Sequence, residues 1–243
     1  MKPQQLVGVF LGKDAFFKLG RLKGGVFFYP EGFEVMILFL KHVEIEGPGL
    51  FSGFLKSLGF KTSTVALNKA EALPSLEECQ AIISLGGPMN VYETDKYPFL
   101  LKEEKFLKSA LSREIPILGI CLGAQILAKT CGAKVKKADK KEVGWFEVKL
   151  TPKGKDDGLF NNLGEGLSVF QWHEDTFEVP EGAELLVQGT LCKNQAFRIG
   201  KSAWGLQFHP EMNKTMLNTW IDTYNEDINR EKILFNYFKK QDV

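Results

Sequence analysis

Apolar and polar positions along this chain switch repeatedly between two periods. Residues 35–40, Val-Met-Ile-Leu-Phe-Leu, form a short unbroken apolar run, the pattern of a strand covered on both faces. Pro48 can open a helix at its first turn; Leu50, Phe51, Phe54, Leu55 and Leu58 then recur at helical spacing, and Gly59 closes it. Residues 62–67 and 81–85 read as the next strands, the second running into Gly86-Gly87-Pro88. Residues 99–111 read as an amphipathic helix. Phe99, Leu100, Leu107, Ala110 and Leu111 face inward there, with Lys102, Glu103, Glu104 and Lys108 outward. A strand over 115–120 and a helix over 122–130 follow. This alternation predicts an α/β fold, a mainly parallel sheet with helices on both faces. From Phe146 the strands come faster (146–150, 168–172, 184–189, 195–199 and 203–208), which predicts hairpins adding an antiparallel edge. A C-terminal helix carries Met216, Leu217, Trp220, Ile221 and Tyr224 on one face. Residues 36–243 thus read as one domain. Residues 1–34, rich in Gly and Phe without periodicity, leave three readings open: an edge hairpin, a loosely attached tail, or sequence upstream of a start at Met36.

Composition narrows the function classes. With 44% hydrophobic and 25% charged residues the chain is a folding, globular sequence, and its 243 residues suffice for a sizeable core. Lys+Arg 31 against Asp+Glu 30 gives a net charge of +1, so neither nucleic acid nor an anionic membrane is the expected partner. The five lysines between Lys134 and Glu142 read as a solvated loop or edge. No apolar stretch reaches the roughly 18 residues of a membrane span, and Lys13 and Asp14 interrupt any signal-peptide core. The four cysteines, 79, 121, 131 and 192, have neither C-x-x-C nor metal-ligand spacing. A reducing, cytoplasmic setting is expected, with no structural metal and no cofactor.

One cysteine differs from the others. Gly119-Ile120-Cys121-Leu122-Gly123 has the form of a nucleophile elbow with Cys in place of Ser. A sharp strand-to-helix turn holds the nucleophile in an unfavourable backbone conformation, and the flanking glycines remove Cβ atoms that would clash. The thiol then stands at a helix N-terminus, where free N–H groups and the helix dipole favour thiolate. Cys79, Cys131 and Cys192 read as small buried hydrophobes.

The base and acid come from Gln207-Phe208-His209-Pro210-Glu211, at the end of an apolar strand. Strand ends at the carboxyl edge of a parallel sheet are where such folds build sites. His209 offers an imidazole and Glu211 a carboxylate to hold it, while Pro210 stiffens the backbone between them. The acid follows the histidine here, unlike the order of α/β-hydrolases. Gly86-Gly87 leaves a buried strand into a turn with free N–H groups, so Gly87 is one expected oxyanion donor and Leu122, next after the nucleophile, the other. His42 leaves its strand toward an acidic loop and reads as structural.

These motifs resemble those of class I glutamine amidotransferases over about residues 36–220. The resemblance rests on Gly86-Gly87-Pro88, on residues 119–125 and on residues 207–211. It implies a flavodoxin-like fold and a Cys121–His209–Glu211 triad that releases ammonia from glutamine through a γ-glutamyl thioester. It also implies that Gln125 lies near the glutamine site. Residues 42–49, 142–145, 170–177 and 194–198 are similar to stand-alone, GMP-synthase-like amidotransferases. In those, the loop matching Trp172, His173 and Asp175 borders the active site, with a carboxylate for the substrate's α-ammonium. Two departures stand out: Leu122 replaces the Tyr usual in GMP synthase, and no Ser-Gly-Gly-x-Asp-Ser run exists to activate an ammonia acceptor. Three functions remain open on sequence alone. They are ammonia donation to a separate synthetase, hydrolysis of other γ-glutamyl amides or peptides, and a non-catalytic regulatory module.

Overall fold

A computed structural model describes residues 36–160 and 163–224. The segment 1–34, and the part of the expected 36–243 domain beyond 224, lie outside the described residues. The strands are β1 (Met36–Lys41), β2 (Thr62–Ala66), β3 (Cys79–Ser84), β4 (Ile117–Ile120), β5 (Val135–Leu150), β6 (Gly166–Phe177), β7 (Glu184–Gln188), β8 (Asn194–Ile199) and β9 (Ala203–Leu206). The helices are α1 (Gly49–Ser57), α2 (Phe99–Ser112), α3 (Leu122–Thr130), the single turn α4 (Pro152–Lys155) and α5 (Lys214–Tyr224).

The strands form one sheet in the order β2-β1-β3-β4-β9-β8-β7-β5-β6. From β2 to β9 every pairing is parallel, and from β9 to β6 every pairing is antiparallel. The expected α/β fold with an antiparallel extension is what forms. The period of two divides each strand between two cores. Ile37 and Phe39 of β1 join Leu118 and Ile120 of β4 against Phe51 and Leu55 of α1. Leu38, Leu40 and Ile117 face the other way, against Leu100 and Leu107 of α2 and Leu127 of α3. Helices on both faces satisfy strands that lack any polar face.

Two expectations need correction, and one of two alternatives is decided. β9, grouped with the hairpins by its spacing, lies beside β4 and parallel to it, so it belongs to the central sheet. The lysine-rich run, read as a solvated loop or edge, is an edge: it is the exposed first half of β5, paired to β6 around a bulge, while β7 meets β5 only at Lys149 and Leu150, and Lys137 and Lys141 each lie 3.3 Å from Glu174. Cross-strand ion pairs of this kind let a charged sequence stay extended. Glu103, assigned to the solvent face of α2, is fully buried. Its partners lie at the site.

Among the described residues no helix is long and apolar enough to cross a membrane.

Candidate active site

Because β1, β3, β4 and β9 are parallel, their carboxyl ends share one edge, and each contributes a loop to the site. The β4–α3 turn is the sharpest. Cys121 adopts φ 50° and ψ −106°, a region that L-residues avoid, and is 6% exposed. Both flanking glycines are required by contact. A Cβ on Gly119 would lie 2.6 Å from the Gly123 backbone, and one on Gly123 would lie 2.3 Å from the Ser84 carbonyl oxygen. The elbow therefore exists only because strand, turn and helix pack backbone to backbone. Gly123→Ala is expected to destabilise the fold by about 1–3 kcal/mol, as overpacking does elsewhere, read as a lower urea midpoint. An unchanged midpoint would show that the elbow has slack.

β9 delivers His209. The backbone N–H of Cys121 donates to the Leu206 carbonyl at 2.7 Å, fixing the elbow against the end of β9. Three residues past that strand end stands His209, with its own N–H bonded to the Phe170 carbonyl of β6 at 2.9 Å. The His209 Nδ1 lies 2.8 Å from Glu211 Oε1, and the Cys121 thiol acts on the same ring electrostatically. Burial pulls the His209 pKa down, but Glu211 and Cys121 outweigh it and hold the ring well above its ordinary value. The structure thus brings Cys121, His209 and Glu211 together. By contrast, burial pushes the Cys79 and Cys131 thiols up to about 11 and raises Cys192 as well.

The β3 loop lies opposite. A Cβ on Gly87 would sit 2.9 Å from both His42 Cβ and Leu122 Cδ2, so Gly87 and Leu122 face each other beside the thiol. Among the described residues neither Gly87 nor Leu122 donates its N–H to a backbone carbonyl. The loop is anchored from below. His42 Nδ1 is 3.0 Å from the Gly86 carbonyl, His42 Nε2 is 2.6 Å from Glu103 Oε2, and Ser84 Oγ donates to Glu103 Oε1 at 2.6 Å. All three side chains are fully buried. Burial disfavours charge on His42, but Glu103 and the Gly86 carbonyl raise its pKa on balance. His42 is thus tied to the site, and not merely a strand-end histidine facing an acidic loop.

A cavity of about 300 Å³ opens on Cys121, and Gly87, Gln125, Trp172, His173 and Asp175 all line it. Their side chains do different things. Gln125 Nε2 donates to the Asp175 carbonyl at 3.1 Å and to Gln207 Oε1 at 3.3 Å, which ties α3 to β6. The Trp172 carbonyl is 3.9 Å from the Cys121 Sγ. The ring of His173 is already engaged, with Nδ1 donating to the Asp175 carbonyl at 2.9 Å and Nε2 paired with Glu142 at 2.9 Å. Asp175 Oδ2 is buried with no hydrogen-bond partner among the described residues. The ligand-type atoms of Glu142, His173 and Cys192 lie within 4.8 Å of one another. The Glu142 oxygens already accept from His173, Gln195 and the Cys192 N–H. That arrangement fixes β5 to β6 behind the cavity.

Sequence reasoning missed Glu46, Glu103 and Gln207. Gln207 Nε2 is 3.7 Å from the Cys121 Sγ, and its place in the motif beside His209 was the signal available. Glu46 lines the cavity and accepts from the Tyr224 hydroxyl at 2.5 Å. Only its inclusion among residues 42–49 marked it.

An elbow cysteine, a histidine–carboxylate pair and a Gly-Gly turn thus meet at one edge of a flavodoxin-like sheet, the fold of an amidohydrolase class of protein. The family profile described as "Glutamine amidotransferase class-I" matches residues 53–221, and the chain belongs to that family. It is 36% identical to a glutamine amidotransferase from Thermotoga maritima of known structure, with a TM-score of 0.80 over 86% of this chain and 92% of that one. It is 38% identical over 139 residues to a glutamine-hydrolysing GMP synthase of Porphyromonas gingivalis, covering 56% of this chain but only 26% of that protein. It is 32% identical over 164 residues to one of the subunits of the glutamine-hydrolysing GMP synthase of Methanocaldococcus jannaschii, covering 66% of this chain and 80% of that relative.

Proposed function

We propose that this chain hydrolyses the side-chain amide of glutamine through a γ-glutamyl thioester on Cys121. The observation that carries the reading is the strained Cys121 beside a His209 that is itself held by Glu211. His209 takes the thiol proton as sulfur attacks the amide carbon, and Glu211 orients the ring and balances the imidazolium. The N–H groups of Gly87 and Leu122 receive the oxyanion. The C–N bond then breaks as His209 returns the proton to nitrogen, and ammonia leaves. Water, deprotonated by His209, cleaves the thioester to give glutamate and regenerate the thiol.

The other expected residues take supporting roles. Asp175, which lines the cavity and has one carboxylate oxygen buried without a hydrogen-bond partner among the described residues, is the candidate partner of the substrate's α-ammonium. Gln125 and His173 both bond the Asp175 carbonyl and so hold this residue in place. Trp172 walls the thiol side. His42, through the Gly86 carbonyl, sets the plane of the peptide that presents the Gly87 N–H. A separate subunit as ammonia acceptor is supported by the similarity to the Methanocaldococcus relative, itself one subunit of a GMP synthase.

Steady-state ammonia release from glutamine tests the proposal, together with labelling of Cys121 by a γ-glutamyl electrophile. Saturable turnover and stoichiometric labelling are expected. Inert glutamine alongside turnover of another γ-glutamyl amide would replace the substrate but keep the chemistry. No labelling and no turnover of either would overturn both.

A further inference from the structure

The end of the cavity next to His209 holds a carboxylate that the hydrolysis above does not use. Glu46 is 6% exposed and sits in the β1–α1 loop. One oxygen, Oε1, accepts from the Tyr224 hydroxyl. The other, Oε2, is turned toward the reacting groups. A Cβ built on Gly86 would meet it at 2.6 Å, His209 Cε1 at 3.0 Å and Cys121 Cβ at 3.8 Å. The position is not accidental to the loop, because Gly49 (φ 51°) lets the chain turn so closely that the Leu50 N–H reaches the Glu211 carbonyl at 2.9 Å.

The surroundings suit a cation. Three aromatic rings stand together here: Trp172 and Trp220 with centroids 5.8 Å apart, and Tyr224 at 5.7 Å from Trp172. Aromatic faces beside a carboxylate are the chemistry that recognises an alkylammonium group. The charged side chains lining the cavity are Glu46, Glu174, Asp175 and one lysine, Lys141, which lies 3.3 Å from Glu174. The balance is negative. Burial raises the Glu46 pKa, and Glu211 adds to it against the Tyr224 hydrogen bond and His209; a cation bound here would favour the ionised form.

Which part of a substrate reaches this end follows from the direction of proton transfer. His209 must hand its proton to the departing nitrogen, so whatever that nitrogen carries lies on the His209 side. Asp175 stands instead beside Gln125, whose Nε2 donates to its carbonyl at 3.1 Å. We propose that Glu46, Tyr224 and Trp172 form a leaving-group subsite for a protonated amine, so that mono-γ-glutamyl amides of short diamines are substrates. The inference rests on the thioester reading given above. In the step concerned the amide C–N bond breaks, the C–S bond forms, and the diamine leaves with the proton from His209. The same negative lining disfavours leaving groups that bear a carboxylate, including the amino acids released from γ-glutamyl peptides.

Three isosteric γ-glutamyl amides test this: those of 1,3-diaminopropane, n-butylamine and β-alanine, which are cationic, neutral and anionic. For the intact protein kcat/KM is expected to favour the cation over the neutral amide by about tenfold or more, with the anion last. In Glu46→Gln the cation-to-neutral ratio should fall toward one. A ratio is unaffected by any general loss of activity. Tyr224→Phe, which leaves the carboxylate in place, should keep most of the preference. Equal rates for the three amides in the unaltered protein would overturn the inference, as would a preference that persists in Glu46→Gln. Either result with Cys121 still labelled by a γ-glutamyl electrophile would leave the thioester reading standing. Loss of the labelling itself would sink both.

Discussion

A Cys121→Ala protein is expected to release ammonia from glutamine at least about 10⁴-fold more slowly, and to lose labelling by a γ-glutamyl electrophile. Effects of this size are usual where the nucleophile of a covalent mechanism is removed, because base and oxyanion donors cannot act on a missing attack. The fold should survive. The side chain makes only long sulfur contacts, 3.9 Å to the Trp172 carbonyl and 3.7 Å to Gln207. A second variant separates chemistry from folding. With φ 50° and ψ −106°, residue 121 occupies the mirror image of the extended region, open to glycine and costly for any other residue. Cys121→Gly should therefore be inactive yet at least as stable, by up to about 1–3 kcal/mol, in urea denaturation. Activity near that of the unaltered protein in either variant would remove Cys121 from the reaction. A less stable glycine variant would show that the thiol contacts outweigh the backbone strain.

How much of this site the sequence discloses depends on where its partners lie. The elbow was legible because Gly119, Cys121 and Gly123 are neighbours in the chain and the demands on them are local. His209 and Glu211 were legible for the same reason, two residues apart at a strand end. The place of β9 was not, since a four-residue apolar strand carries no record of its neighbours in the sheet. Glu46 and Tyr224 are 178 residues apart and meet only through the packing of α5, so nothing local pairs them. Glu103 is more instructive. Leu100, Glu103, Leu107 and Ala110 form one buried stripe of α2, and helical spacing alone puts the glutamate inside it. Its charge was what assigned it to solvent. A carboxylate that falls on an apolar stripe is better taken as evidence of a buried partner than as an outward residue, for isolated charge is rarely buried.

That partner makes Glu103 the most consequential residue outside the reacting groups. Both ring nitrogens of His42 face acceptors, the Gly86 carbonyl at 3.0 Å and Glu103 at 2.6 Å, and Ser84 donates to the second glutamate oxygen. Removing the carboxylate in Glu103→Ala leaves the imidazole and the hydroxyl buried without it. Breaking a buried pair by deleting one member costs about 3–5 kcal/mol, so a large fall in the urea midpoint is expected. Glu103→Gln should behave differently. Its carboxamide can accept from Ser84 and donate to a neutral His42 ring, whose Nδ1–H still reaches Gly86, so the network stays satisfied without charge. A loss of no more than about 1 kcal/mol is expected there, since a satisfied neutral network avoids the penalty of an orphaned group. Activity should divide the same way. His42→Ala frees the Gly86-Gly87 peptide to rotate, and loss of one oxyanion donor costs about 10²–10³ in kcat with little change in KM. Glu103→Gln holds that peptide and should retain most of kcat. Equal destabilisation in Ala and Gln variants would mean that the ion pair itself, rather than the hydrogen-bond geometry, secures the oxyanion loop.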